Sequence, residues 1–238
     1  MIYTTIMNRF YTGETKDRSG ELELTEHVWV NDAELVNQIL RVLRMRVGEE
    51  LVLFDGKGLE RLYKIEEIEP KAVHLYHVTD IEPKHPVRRV ALAFSMLKKD
   101  KNEWVIQKCT ELGVTHFLPM LSDRTEKTGF DMERAHKIAI EAAEQCGRHD
   151  IPLISEPQSV MQVVSEYSEH MPMYVADMGN DIPSEIDVDK LMILVGPEGG
   201  WSDAERQLFK QKDLPHIGLG DFTLRAETAC IAAAQELM

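Results

Sequence analysis

The segment LMILVGPEGGWSDAE, residues 191–205, limits the fold more than any other stretch. Five consecutive apolar residues, as in strands covered on both faces, run into Gly-Pro-Glu-Gly-Gly. Ser202, with Glu205 three positions on, then has the form of a capping box that opens a helix. The order strand, glycine-rich loop, helix puts the loop at the carboxyl end of a parallel strand, where open α/β sheets bind ligands. Three glycines within five residues carry an entropic cost, so the backbone here needs unusual angles or admits a close approach. Neither G-x-x-x-x-G-K-[ST] nor G-x-G-x-x-G is present, and the loop holds Glu198 and no cation. Such a loop disfavours a polyphosphate and suits ribose hydroxyls or a positively charged ligand; a tight turn that merely needs positive φ is the alternative.

The flanking pattern extends this reading. From residue 90 onward, apolar runs alternate with amphipathic stretches: VALAFSML, KNEWVIQKCTELG closed by Gly113, VTHFLPML, a long helix over about 131–147 ending near Gly147, MYVADM, SDAERQLFKQ, PHIGLG and LRAETACIAAAQEL. Alternation of this kind predicts an α/β domain over 90–238 with a largely parallel sheet. Residues 1–80 read differently: a helix-like NDAELVNQILRVLRM, then LVLF and LYKIEEI separated by the hairpin signal Asp-Gly-Lys-Gly, then VHLYHV. They predict a small β-rich unit, and IEPKHPVRR at 81–89, with two prolines, reads as a linker.

Charge narrows the partners. A formal net charge of −14 argues against binding nucleic acid by bulk attraction, yet the acidity is concentrated beyond residue 89, and the first third is nearly neutral. Arg41, Arg44 and Arg46 cluster within it, as do Lys84, Arg88 and Arg89, with Lys98, Lys99 and Lys101 just beyond; each cluster is either a phosphate-binding patch or a solvated face. Three cysteines without a C-x-x-C pair support neither a disulfide framework nor a zinc knuckle. His74 and His77, three apart on a predicted strand, point to opposite faces and make a poor metal pair, so no metal is expected. No run of 18 apolar residues and no signal-peptide layout is present, so a cytoplasmic protein without membrane attachment is expected.

A second strand–turn–helix stretch is IGLGDFTLRAETA, residues 217–229, whose glycines free the backbone to read an adenine edge. Arg225 reads as part of the first helical turn, where the macrodipole disfavours a cation, a conflict that hints at function unless it bridges to Glu227. In EQCGR, residues 144–148, Glu144 and Arg148 share a helical face and either pair or serve a site.

Taken together, TELGV (110–114), Arg124 soon after a strand, EQCGR, GPEGG (196–200) and LGDFTLRAETA (219–229) resemble the RsmE family of ribosomal small subunit RNA methyltransferases, which modify N-3 of a uridine in 16S rRNA. NRFY (8–11), LRVLRMRVGE (40–49) and LFDGKG (53–58) resemble it too, in the family's order. The resemblance implies a homodimer of two-domain chains, with a PUA-like β-barrel that grips RNA and a SPOUT α/β domain with a parallel sheet, whose last helix threads a trefoil knot. It implies S-adenosylmethionine as cofactor, held at Leu194, Gly196, Glu198, Gly199 and Gly200 and at Leu219, Gly220, Leu224 and Ala226. By the same resemblance Arg225 and Arg124 contact the reacting base or its phosphate, and Arg9 and Arg148 join Arg41, Arg44 and Arg46 as RNA contacts. No general base is assigned. The alternative from another class is a non-catalytic RNA-binding or ribosome-assembly factor of the same fold.

Overall fold

A computed structural model describes residues 7–13, 22–82, 86–126, 129–178 and 186–238; Lys84 and linker residues 83–85 lie outside the described residues. The chain divides into two compact units, one of residues 1–84 with 143–151, the other of residues 85–142 with 152–238.

The first unit is built on a five-stranded sheet in the order β1-β3-β4-β5-β2. Strand β1 (Arg9–Tyr11) lies parallel to β3 (Glu50–Phe54), and β3, β4 (Glu60–Glu69), β5 (Ala72–Asp80) and β2 (His27–Val30) are antiparallel in succession. The β3–β4 turn forms where Asp-Gly-Lys-Gly predicts it. The Asp55 carboxylate accepts the N–H groups of Lys57 at 2.7 Å and Leu59 at 3.0 Å, and Gly56 and Gly58 adopt φ of 74° and 119°. Alternation along β2 sends Val28 and Val30 into a core with Leu51, Leu53, Tyr63, Ile65, Val73 and Leu75, and leaves His27 and Trp29 outside.

The helix expected over 31–45 is shorter. Helix α1 (Ala33–Asn37), capped by Asp32 accepting from Glu34 N and Leu35 N, loosens into π-helical geometry at Gln38–Val42. Arg44 then takes φ of 56°, and Met45 N–H bonds back to Ile39 O at 3.0 Å, a Schellman-type ending with arginine where glycine is usual. The apolar periodicity carries on to Met45, which is buried, but the backbone has already turned.

In the second unit, β6 (Arg89–Ser95) sits centrally in a parallel sheet ordered β12-β10-β11-β6-β7-β8, with β9 (Gln158–Ser159) also pairing β7. The other strands are β7 (His116–Leu121), β8 (Leu153–Ile154), β10 (Met173–Ala176), β11 (Lys190–Val195) and β12 (His216–Ile217). Helices α2 (Lys99–Glu111), α3 (Met132–Cys146), α4 (Val160–Tyr167), α5 (Asp203–Gln211) and α6 (Ala226–Leu237) complete the chain, the last turn of α3 clustering with the first unit. Gly113 at φ 103° closes α2. All six residues from Val90 to Ser95 and all five from Leu191 to Val195 are buried, as strands covered on both faces require. The chain builds from β6 outward through β7 and β8, and on the other flank places β11, β10 and β12. The direction of winding therefore reverses between β6 and β11, the switch point at which such sheets open a crevice beyond their carboxyl ends.

Candidate active site

Three loops leave the carboxyl ends of β10, β11 and β12 and enclose a cavity of about 310 Å³. The first brings Asp177 and Met178; the second brings Gly196, Pro197, Glu198 and Gly200; the third brings Leu219, Gly220, Phe222, Thr223 and Leu224, followed by Ala226 and Ala229 of α6. Of the residues expected to hold a cofactor, Gly196, Glu198, Gly200, Leu219, Gly220, Leu224 and Ala226 line this cavity. Leu194 lies two residues back, fully buried in β11. Gly199 faces another way: its carbonyl accepts Arg124 Nη1 at 2.9 Å, and a Cβ placed on it would sit 3.3 Å from Arg124 Cβ.

The glycines are required where the sequence has them. A Cβ on Gly196 would stand 3.0 Å from Cε2 of the buried Trp201 indole, whose Nε1 donates to Ala176 O at 3.4 Å. Trp201 thus forms the floor under both the β10 and β11 loops. Gly200 and Gly220 adopt φ of 68° and 116°, the second a region that side-chain-bearing residues avoid.

Helix α5 begins with the expected capping box. Ser202 Oγ accepts Glu205 N–H at 3.2 Å, and Glu205 Oε2 accepts Ser202 N–H at 2.7 Å. Its other oxygen accepts the N–H of Asp123 at 3.0 Å, in the loop that follows β7 and carries Arg124. One buried carboxylate therefore fastens the glycine loop to the arginine loop. Glu205→Ala orphans two backbone N–H groups and is expected to lower stability by about 2–3 kcal/mol, measured by urea denaturation.

Charges cluster around the cavity in a way the local sequence does not show. Lys101, from α2, places Nζ 3.3 Å from Glu198 and 3.1 Å from Glu227, so the loop carboxylate is not bare, contrary to the reading of the loop by itself. The bond to Glu227 and then that to Glu198 raise the Lys101 pKa. Burial pushes the Glu227 carboxyl up, but its own backbone N–H, Lys101 and Arg225 outweigh this and hold it low. Asp177 pairs with Arg206 and, at 3.3 Å, with His216 Nδ1. Burial raises the Asp177 pKa, yet the Arg206 bond and charge prevail and keep it below the ordinary carboxylate range. Asp177, Met178, Trp201, Arg206 and Phe222 escaped sequence reasoning as site residues; the position of MYVADM at a predicted strand end was the available signal.

Arg225 is the N-cap of α6, one residue before the first turn, with extended φ and ψ of −66° and 152° and no side-chain capping bond. It is exposed, and its neighbours Leu224 and Ala226 line the cavity. Glu227 takes Lys101 as its ion-pair partner rather than Arg225.

The arginines of the first unit fall into two sets. Arg41, Arg44 and Arg46 are exposed. Arg9 instead pairs with the buried Glu60 and lies over the Phe54 ring at 5.6 Å, while Arg148 makes a two-pronged bond to Asp150 at 2.9 and 2.8 Å. Glu144 accepts Tyr11 N–H at 2.8 Å.

Residues 83–238 match the family described as RNA methyltransferase domain, and residues 32–75 match the RNA methyltransferase PUA domain. Fold, strand-end site and family models together define the class: RNA methyltransferases carrying a PUA domain. A ribosomal RNA small subunit methyltransferase E from Bacillus subtilis is 31% identical over 95% of this chain and 94% of its own length. That of Rickettsia conorii is 27% identical over 97% and 94%. The chain belongs to the ribosomal RNA small subunit methyltransferase E family. Among solved structures, the Neisseria gonorrhoeae methyltransferase E bound to S-adenosyl methionine superposes with a TM-score of 0.83 at 26% identity, covering 96% of this chain and 95% of that one. A Legionella pneumophila methyltransferase in complex with the same cofactor gives 0.82 at 29% identity, covering 97% and 96%. Among the described residues no helix is long and apolar enough to cross a membrane.

Proposed function

We propose that this chain transfers the methyl group of S-adenosylmethionine to N-3 of a uridine in the 16S rRNA of the small ribosomal subunit, acting as a cytoplasmic homodimer. The observation that carries the reading is the convergence of three strand-end loops on one cavity in a chain of this family. In this reading residues 1–80 grip RNA, 81–89 connect, and 90–238 form the catalytic domain, whose last helix threads a trefoil knot.

The residues present fit the cofactor. Gly196, Gly200 and Gly220 offer backbone groups at close range, Leu219 and Leu224 offer apolar surface, and Asp177 and Glu198 offer carboxylates to hydroxyls or to a sulfonium. Both carboxylates are answered by cations, Glu198 by Lys101 and Asp177 by Arg206, so neither stands as a bare charge, and both remain acceptors for ribose hydroxyls. When bound, the cofactor supplies an electrophilic methyl group on a cationic sulfur. Uridine N-3 would react after releasing its proton to solvent, with negative charge passing to the two ring carbonyl oxygens, and the methyl–sulfur bond would break as the methyl–nitrogen bond forms, leaving a neutral thioether. Arg225 and Arg124 donate to those oxygens or to the flanking phosphate, and the loop bond from Arg124 to Gly199 couples that arm to the cofactor loop.

Labelled S-adenosylmethionine, purified small subunits and free 16S rRNA, followed by nucleoside mapping, test the proposal. Label in 3-methyluridine is expected; cofactor binding without transfer to either RNA form would leave only the non-catalytic role.

The exposed Arg41, Arg44 and Arg46 serve the grip by pairing with phosphates, while Arg9 and Arg148 have their charges answered by Glu60 and Asp150. Arg44 in the left-handed region gives a test with opposite signs. Arg44→Gly relieves the backbone and is expected to raise stability by about 0.5–1 kcal/mol. The same change is expected to weaken RNA binding and to reduce the slope of log affinity against log salt by about one, read from titrations at several salt concentrations.

A further inference from the structure

The outer face of the N-terminal sheet holds a cluster that the proposed methyl transfer does not use. His27 of β2, Glu66 of β4 and His74 of β5 each bring one ligand atom into a cluster, all three atoms lying within 4.8 Å of one another. His74 Nδ1 is 3.1 Å and His27 Nδ1 is 3.9 Å from Glu66 Oε2.

Sequence spacing conceals the site because its residues come from three strands. Trp29 pairs with His74 and Tyr76 with His27, so the two histidines are diagonal neighbours across β2 and β5. The β4–β5 register skips between Ile65 and Glu67, opposite Leu75 and His74, which makes Glu66 the extra residue of a β-bulge. A bulge re-aims a side chain that regular pleating would send elsewhere. The imidazoles are also braced. The His74 ring stacks on Trp29 at 4.6 Å and on His27 at 5.3 Å, and the His27 ring leans on Tyr76 at 5.2 Å.

We propose that His27, Glu66 and His74 form a binding site for a divalent transition-metal ion of the zinc or cobalt type, which ties β2, β5 and β4 together. Two imidazoles and one carboxylate are the ligand set such ions take with open positions left to water, whereas magnesium and calcium select oxygen. Bonds of about 2.0–2.1 Å in a tetrahedral arrangement separate ligand atoms by about 3.3 Å. The His74–Glu66 pair already meets this, and closing His27 takes a small side-chain adjustment, which its 54% exposure permits. Among the described residues strand β2 is an edge that pairs with β5 alone, so a staple reaching across to β4 secures it. The same face exposes Trp29 and Tyr76 and so also resembles a stacking platform for RNA bases. Glu66 at its centre, with Glu67 beside it in sequence, favours a cation over a phosphodiester.

The test uses the full-length chain without a polyhistidine tag, stripped with chelator. Zinc chloride is titrated by calorimetry, and cobalt(II) is followed by its visible absorption. One equivalent is expected to bind at micromolar concentration, with affinity at least about tenfold lower in His74→Ala, His27→Ala and Glu66→Gln. His77→Ala, whose imidazole pairs with Asp80 instead, is expected to bind as the parent does. Absence of uptake by the parent, or unchanged uptake in the doubly substituted His27→Ala, His74→Ala chain, would overturn the proposal. Loss of RNA affinity on Trp29→Ala under chelator, with no metal uptake by the parent, would overturn it in favour of base stacking.

Discussion

Arg225→Ala is expected to slow methyl transfer by about 10²–10³-fold, the effect of removing one preorganised donor to a developing oxyanion, or about 2.7–4 kcal/mol of barrier. The fold leaves this residue little else to do. It is exposed, and as the N-cap of α6 its side chain accepts no capping bond; the Ala229 N–H that bonds to it uses its main-chain carbonyl, which substitution preserves. Stability should therefore change by less than about 0.5 kcal/mol. Arg225→Ser sharpens the test, because serine is a competent N-cap and is expected to stabilise the helix by up to about 1 kcal/mol while losing the same catalytic factor. Cofactor affinity by calorimetry should stay near the parent value in both variants. Arg225→Lys keeps the charge without the planar fork and should fall between parent and alanine. A folded Arg225→Ala chain that methylates at the parental single-turnover rate would remove this residue from the mechanism.

What local sequence conveyed was whatever physics acts over a few residues. The β11–loop–α5 order, the Ser202/Glu205 box, the Asp55–Gly58 turn and the helix stop at Gly113 are each determined by neighbours in the chain, and each is found. Seven of the residues marked for a cofactor line one cavity because two glycine-bearing turns follow strands that the parallel sheet sets two places apart. Interactions between distant segments were not legible. Lys101 was one of a basic cluster until the fold brought it to Glu198, 97 positions away. Glu205 read as a cap, and its second bond, to Asp123, needed the tertiary structure. The α1 pattern misled in the other direction, since its periodicity outlasts its helix and the buried Met45 is reached through Arg44 in a left-handed turn. The histidines illustrate the same limit. Spacing compared His74 with His77, whereas the carboxylate found 3.1 Å from His74 is that of Glu66, in a bulge on another strand.

The largest loss of stability is expected from Arg9→Ala. Glu60 opens β4 with its side chain only 3% exposed, opposite Phe54, and Arg9 of β1 is its ion-pair partner. The guanidinium also lies over the Phe54 ring and reaches Arg148 O at 3.4 Å, so it joins β1, β3, β4 and the 143–151 segment within one unit. Deleting it leaves a carboxylate without its counter-charge in a site that water scarcely reaches, a change that typically costs about 3–5 kcal/mol. Spread over the 238-residue chain, that corresponds to a fall in Tm of roughly 6–20 °C. Pairing the change with Glu60→Leu should recover most of the loss, because the penalty lies in the stranded charge rather than in the missing attraction. The same variant separates a tie from an RNA contact. A tie lowers Tm and, measured below that temperature, leaves the salt slope of RNA binding intact, whereas a phosphate contact would reduce the slope by about one. With Arg9 only 14% exposed and its charge already answered by Glu60, the first outcome is expected.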